Sequence, residues 1–229
     1  MRLKTNYLEK LTQNKLIDLA EFVVKENFKH HSNNVLPENY MDDVESIYRE
    51  EKKFHNLSSV FVVKDTVGEI LGAIRVLKWN YVDKLPIEKI FGINPISVTG
   101  NAPLKPIWHI GRFAIRQEVR DITLFKKLMV CAIAPVCASK NGVAFAEIDS
   151  KLLRVLKLIG IQATVVGESI EYLGSETIPV CFTYDGLINF FNKNKDLLPN
   201  HLKPTTYSNT QNLPKSVVFN KSAYDYPLV

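Results

Sequence analysis

Residues 107–121 read IWHIGRFAIRQEVRD, and the reading of this stretch decides the fold. Its first nine residues have the apolar, β-branched and aromatic character of a strand, yet His109 and Arg112 stand in their middle. Strict alternation places Trp108, Ile110, Arg112 and Ala114 on one face and His109, Gly111, Phe113 and Ile115 on the other. A central strand with polar groups on both faces is not plain core, because an unpaired buried charge is costly. Arg112 therefore needs a carboxylate, either from the acidic cluster Asp42, Asp43 and Glu45 or from Glu147 or Asp149 downstream. A fold-stabilising ion pair and a functional role are both open to it. Imidazole is the side chain suited to accept a proton near neutrality, so His109 is a candidate base, with a scaffold hydrogen bond as its alternative. Gly111 removes a side chain where a ligand or another backbone comes close.

The turn that follows, Arg116-Gln117-Glu118-Val119-Arg120-Asp121, leads directly into a helix. The first N–H groups of that helix and its dipole favour an anion, and Arg116, Arg120, Lys126 and Lys127 add positive charge. Leu124, Leu128, Ala132 and Val136 recur every four residues in the helix, and Pro135 should kink or end it. VAFAEID (143–149) reads as a second central strand, Ser150 as an N-cap, KLLRVLKLI as a helix and Gly160 as the residue that closes it.

Upstream, residues 14–28 form an amphipathic helix capped by Thr12 or Asn14, and 44–54 a shorter one. Residues 59–79 read as a β-hairpin with Gly68 at the reversal. Pro86, Pro95, Pro103 and Pro106 make 81–106 an irregular excursion. Residues 162–184 hold two or three short strands ahead of a helix at 185–193, and a polar tail begins at about 203. The order predicts one α/β domain, 1–229, with a mixed sheet whose two central strands are each followed by a helix.

Of 229 residues, 46% are hydrophobic and 23% charged, an ordinary globular balance. No run approaches the roughly 18 apolar residues of a membrane span, and the first residues lack the apolar stretch of a secretory signal. Three cysteines, Cys131, Cys137 and Cys181, show no metal-ligand spacing, so a reduced, cytoplasmic setting with no metal is expected. The net charge of +5 suits an acidic protein partner, a phosphate-bearing cosubstrate or peripheral contact with an anionic membrane. No nucleic-acid-binding motif accompanies it.

Four stretches, in order, carry a resemblance to the GNAT acyltransferase fold, in the branch of acyl-homoserine-lactone synthases and long-chain N-acyl amino acid synthases. Residues 68–77, GEILGAIRVL, are similar to that branch's hairpin, and 109–115, HIGRFAI, to its E-x-x-R-F-A-V strand. Residues 152–161, LLRVLKLIGI, resemble its L-x-R-x-L-x-x-x-G helix, and 167–179, GESIEYLGSETIP, its glycine-to-proline stretch. The resemblance implies a mostly antiparallel sheet whose central strands splay apart around a thioester arm. It implies transfer of a fatty acyl group from acyl carrier protein or coenzyme A to the amine of an amino acid or small amine, with no permanently bound cofactor. The backbone of Phe113, Ala114 and Ile115 would then meet the pantetheine, and Arg116, Arg120 and Lys126 its phosphate or carrier. The glycine-free turn departs from the glycine-bearing loop of coenzyme A-dependent relatives and favours a carrier protein. His109 stands where the branch often has glutamate; it and then Glu147 are the candidate bases beside Arg112. Arg75 and Arg154, with Ser150 nearby, are candidates for the acceptor's carboxylate, and internal ion pairing is the alternative for both arginines. An acetyl-CoA-dependent enzyme and a non-catalytic binding module are the rival expectations.

Overall fold

The computed structural model of the chain describes residues 6–31, 36–100, 105–172 and 175–202. The expected tail from about 203 and Pro103 lie outside them. Eight strands form one sheet: β1 (Tyr7–Lys10), β2 (Ser58–Lys64), β3 (Ile70–Lys78), β4 (Ile107–Ile115), β5 (Val143–Asp149), β6 (Thr164–Val165), β7 (Ile170–Tyr172) and β8 (Ser175–Thr183). Their order is β1-β2-β3-β4-β5-β8-β6, with β7 also on β8. Every pairing is antiparallel except β4 with β5. The mixed, mostly antiparallel sheet matches the expectation.

Helices cover both faces. α5 (Ile122–Cys137), α6 (Ser150–Leu158) and α7 (Tyr184–Asn194) pack on one side, where Ile74, Val76, Trp108, Ile110, Ala146 and Phe182 join the largest apolar cluster. α1 (Leu16–His31), α2 (Tyr40–Phe54) and the short α3 (Pro86–Phe91) pack on the other, against Val60, Val62, Ala73, Leu77 and Phe145. Period-2 burial along the strands thus sorts their side chains between two cores. The β2–β3 turn is built by Asp65, whose Oδ1 accepts from the N–H groups of Val67 and Glu69, both at 3.0 Å, while Gly68 takes a φ of 90°. Pro135 lies inside α5, which ends two residues later at Cys137.

Several local readings differ from the structure. β1 escapes a sequence reading because its four residues are half-exposed edge, paired only with β2. α2 begins at Tyr40, one turn ahead of the expected start. The proline-rich excursion contains α3 and α4 (Pro95–Val98), each opening on a proline at its first position, where a missing N–H costs nothing. Thr12 precedes a 3-10 turn at Gln13–Lys15, and its hydroxyl donates to Asn14 Oδ1 at 2.6 Å instead of capping a backbone group. α6 is capped by Asp149, whose Oδ1 accepts from Leu152 N–H at 2.6 Å, and not by Ser150, which is its first residue.

α5 sits unusually close to β3 at Gly72: a Cβ there would lie 2.9 Å from Leu124 Cδ2 and from Leu128 Cδ1. Replacing Gly72 with valine should overpack this contact and lower stability by about 1–3 kcal/mol, read from urea unfolding midpoints.

Candidate active site

β4 and β5 pair only at Ile107–Val143, Trp108–Ala144 and His109–Phe145, after which the two parallel strands part. β5 continues along β8 to Asp149 and β4 along β3 to Ile115, so the sheet itself splits into a V. At the vertex β4 carries a bulge: Ala73 pairs with Ala114 and Arg75 with Gly111, setting three residues of β3 against four of β4. Arg112 sits at this bulge with a φ of 55°, a left-handed conformation that costs a branched or long side chain about 1–2 kcal/mol. The bulge resets the alternation. Phe113 and Ile115 join Trp108 and Ile110 on the α5 side, with Phe113 and Phe125 ring centroids 5.1 Å apart. His109 and Arg112, expected on opposite faces, lie together on the α2 side.

There they meet two glutamates of α2. Arg112 Nε donates to Glu51 Oε1 at 2.8 Å, and its Nη2 lies 3.0 Å from Glu50 Oε1. Arg75 of β3 is fully buried; its Nη1 donates to Glu51 Oε1 at 2.5 Å and Glu50 Oε1 at 3.1 Å. The partners of Arg112 are therefore not Asp42, Asp43 or Glu45 but residues two turns further along the same helix. Burial disfavours ionisation of Glu50, yet attraction from Arg112 and Arg75 and a hydrogen bond from Arg75 outweigh it and hold its carboxyl at about 2. Burial likewise works against the charge on Arg112, and Glu51 and Glu50 reverse that, leaving its pKa raised.

The network continues through Arg75 into His109. Arg75 Nη2 is 3.2 Å from His109 Nδ1, and His109 Nε2 is 2.8 Å from Glu147 Oε2. A guanidinium can only donate, so Nδ1 accepts and the ring proton sits on Nε2, pointing at Glu147. The imidazole is 2% exposed and both its nitrogens are engaged. The second oxygen of Glu147, Oε1, is buried without a hydrogen-bond partner. Gly111 is required by the same arrangement: a Cβ there would stand 2.8 Å from His109 Cε1.

A cavity of about 250 Å³ fills the V. Ile110, Met129, Leu156 and Phe182 line it on one side of the sheet; Asp43, Glu50, Glu147 and Tyr172 line it on the other. The Tyr172 phenol has its pKa raised by burial and by Glu50, Asp43 and Glu147, against a lowering by Arg112.

Of the residues singled out in the sequence, His109, Arg112, Glu147, Phe113 and Ala114 line this cavity. Ile115, Arg116, Arg120 and Lys126 do not. The Ile115 carbonyl lies 3.0 Å from His30 Nε2, and Arg116 reaches Glu69 at 3.3 Å. Arg120 is exposed. The corner expected to hold an anion is met by two carboxylates: Glu26 Oε2 of α1 accepts from Gln117 N–H at 2.9 Å and Asp121 Oδ1 from Thr123 N–H at 2.8 Å. Of the expected acceptor ligands, Arg75 is committed to the ion network, and Arg154 and Ser150 are exposed outside the cavity lining. Glu50, Glu51 and Tyr172 were not anticipated as site residues. Glu51 had a readable signal: it falls on the apolar stripe of α2 with Val44, Ile47 and Phe54, where a carboxylate must have a buried partner. The three cysteines are buried, and burial pushes their thiols up to about 12, 12 and 11 for Cys131, Cys137 and Cys181, far from a nucleophile's range. Among the described residues no cluster suits a metal ion, and no helix is long and apolar enough to cross a membrane.

Solved acyltransferase structures share this fold. An N-acyl amino acid synthase from uncultured soil microbes, FeeM, matches with a TM-score of 0.55 at 15% identity, over 85% of this chain and 99% of that one. The acyl-homoserine-lactone synthase LasI matches at 0.54 and 12% identity, over 83% and 96%. BjaI, a coenzyme A-dependent acyl-homoserine-lactone synthase, matches at 0.53 and 14% identity, over 85% and 91%. No family model and no curated protein matches the sequence. At these identities the likeness establishes the GNAT-like fold.

Removing the shared carboxylate should leave two buried guanidiniums short of a partner, so Glu51→Gln is expected to destabilise the protein by about 3–5 kcal/mol in urea unfolding. Glu50 adds a pH dependence. Its folded-state pKa lies below the 4.5 of an unperturbed glutamate, so its contribution, about 3 kcal/mol, is complete above pH 4.5 and is lost as pH falls through about 2. Acid unfolding of Glu50→Gln should lack that segment of the curve.

Proposed function

We propose that the protein is an N-acyltransferase that moves a fatty acyl group from an acyl thioester to the amine of a small acceptor, an amino acid or a simple amine. The observation that carries this reading is the cavity at the β4–β5 splay, with Glu147 among its lining residues and one oxygen of that carboxylate buried without a partner. Beyond the splay the inner edges of both strands lack a strand partner in each other, so an extended pantetheine arm can lie between them and be met by backbone groups of Phe113 and Ala114. The apolar side of the cavity suits the acyl chain and the polar side the amine.

An amine attacks only when neutral. The Glu147 carboxylate takes one proton from the acceptor ammonium. His109 donates its Nε2 proton to Oε2, fixes the carboxylate's orientation and is itself fixed by Arg75. His109, the first candidate for the base, is thereby a positioning residue, and the base is Glu147. The nitrogen lone pair then forms the new C–N bond, and backbone N–H groups at the bulge stabilise the oxyanion. As the tetrahedral intermediate collapses the C–S bond breaks, the leaving thiolate takes the second proton from nitrogen, and an amide and a free thiol remain. Tyr172, held protonated by its surroundings, is the group we assign to pass that proton to sulfur. No covalent enzyme intermediate is needed, and buried, strongly raised thiols supply no nucleophile.

For the donor we favour acyl carrier protein. The turn after β4 has no glycine, Glu26 already accepts one of its N–H groups and Asp121 one from the first turn of α5, which leaves a poorer seat for a nucleotide diphosphate. Coenzyme A is the second reading, favoured by the likeness to BjaI.

Glu147→Gln should keep the hydrogen bond from His109 and lower kcat by about 10²- to 10⁴-fold with little change in melting temperature. Turnover of a long-chain acyl-carrier protein and the matching acyl-coenzyme A, followed by thiol release and mass spectrometry of the amide, checks this. Unchanged kcat in the variant would contradict the assignment of the base, and absence of thiol release from every donor would contradict the function.

A further inference from the structure

The amine side of the cavity also specifies what the acceptor must lack. This inference rests on the acyltransferase reading and concerns the same site. An acceptor carrying a carboxylate needs a cation to meet it, and among the described residues Arg112 is the one arginine or lysine in the cavity wall. Its guanidinium is committed to Glu51 at 2.8 Å and Glu50 at 3.0 Å. Arg75 is fully buried behind it on the same two glutamates, and Arg154 lies on the exposed face of α6. The two arginines and the two α2 glutamates cancel in charge. Asp43 and Glu147 also line the cavity, with Asp149 engaged as the cap of α6 and His109 held as the neutral tautomer between Arg75 and Glu147.

The geometry points to a carboxylate-free amine as the acceptor: a primary amine, or better a diamine whose far ammonium lies toward Asp43 while its reacting nitrogen meets the Glu147 carboxylate. A free amino acid would bring its carboxylate against Asp43 and Glu147, and could gain a partner only by displacing Glu50 or Glu51 from Arg112. Asp43 is poised for the far charge, being on the first turn of α2 and part of the cavity wall. The Tyr172 phenol, within electrostatic reach of Glu50, Asp43, Glu147 and Arg112, marks where these groups converge.

The test uses pairs that differ only in the carboxylate: lysine against cadaverine, and tyrosine against tyramine. With one long-chain donor, kcat/KM for each amine is expected to exceed that of its amino acid at least tenfold. Asp43→Asn should raise KM for cadaverine severalfold, leave kcat nearly unchanged and leave tyramine unaffected. Isothermal titration of the same four compounds into the full-length protein gives a readout independent of turnover, with cadaverine binding expected at least tenfold tighter than lysine. Equal or tighter binding of the amino acids, or no cadaverine preference in either measurement, overturns the inference. If cadaverine binds selectively but no amine is acylated from any thioester, the acceptor specificity stands and the acyltransferase reading falls.

Discussion

The contact between Glu51 and Arg75 is the constraint on which the rest of the site depends. A carboxylate on the apolar stripe of α2 and a guanidinium in the middle of β3 are each untenable in a core alone, and together they fix α2 over the centre of the sheet. Glu51 Oε1 also receives Arg112, which ties the bulge of β4 to the same point. Left-handed backbone at an arginine is unfavourable by itself and is sustained by the two glutamates that hold its side chain.

Two consequences follow from the bulge. By shifting the alternation of β4 it brings His109 and Arg112 to one face, and returns Phe113 and Ile115 to the core under α5. Arg75 then completes a chain from Glu51 through His109 to Glu147, crossing from β3 to β5 over the strand between them. Each link fixes the protonation of the next: an arginine that can only donate sets the histidine tautomer, and the tautomer sets which oxygen of Glu147 is occupied. The Glu147 carboxylate is therefore oriented by groups two strands away.

Much of this was legible in the sequence. The hairpin, both central strands, the helices after them and the closing glycine at 160 follow from periodicity and turn chemistry, because those signals are local. The need of Arg112 for a carboxylate was legible too, but not its partner, since Glu51 is 61 residues away and only packing of α2 across the sheet brings it near. The facing of His109 and Arg112 was misread because a bulge breaks the period-2 rule without a glycine or proline at the bulged residue itself to announce it. Arg154 was a candidate for the acceptor because an arginine fork suits a carboxylate, yet it and Ser150 are exposed on α6. β1 was illegible, being four half-exposed residues whose strand character comes from the edge of β2.

Occupation of the splay by a thioester arm is what the proposed function requires. Amide chemical-shift mapping with a non-transferable long-chain acyl-pantetheine thioether tests this most directly. Saturable shifts concentrated at residues 111–115 of β4 and 146–149 of β5 are the predicted result. Saturable binding that leaves both strands unperturbed, or no binding at all, would contradict it.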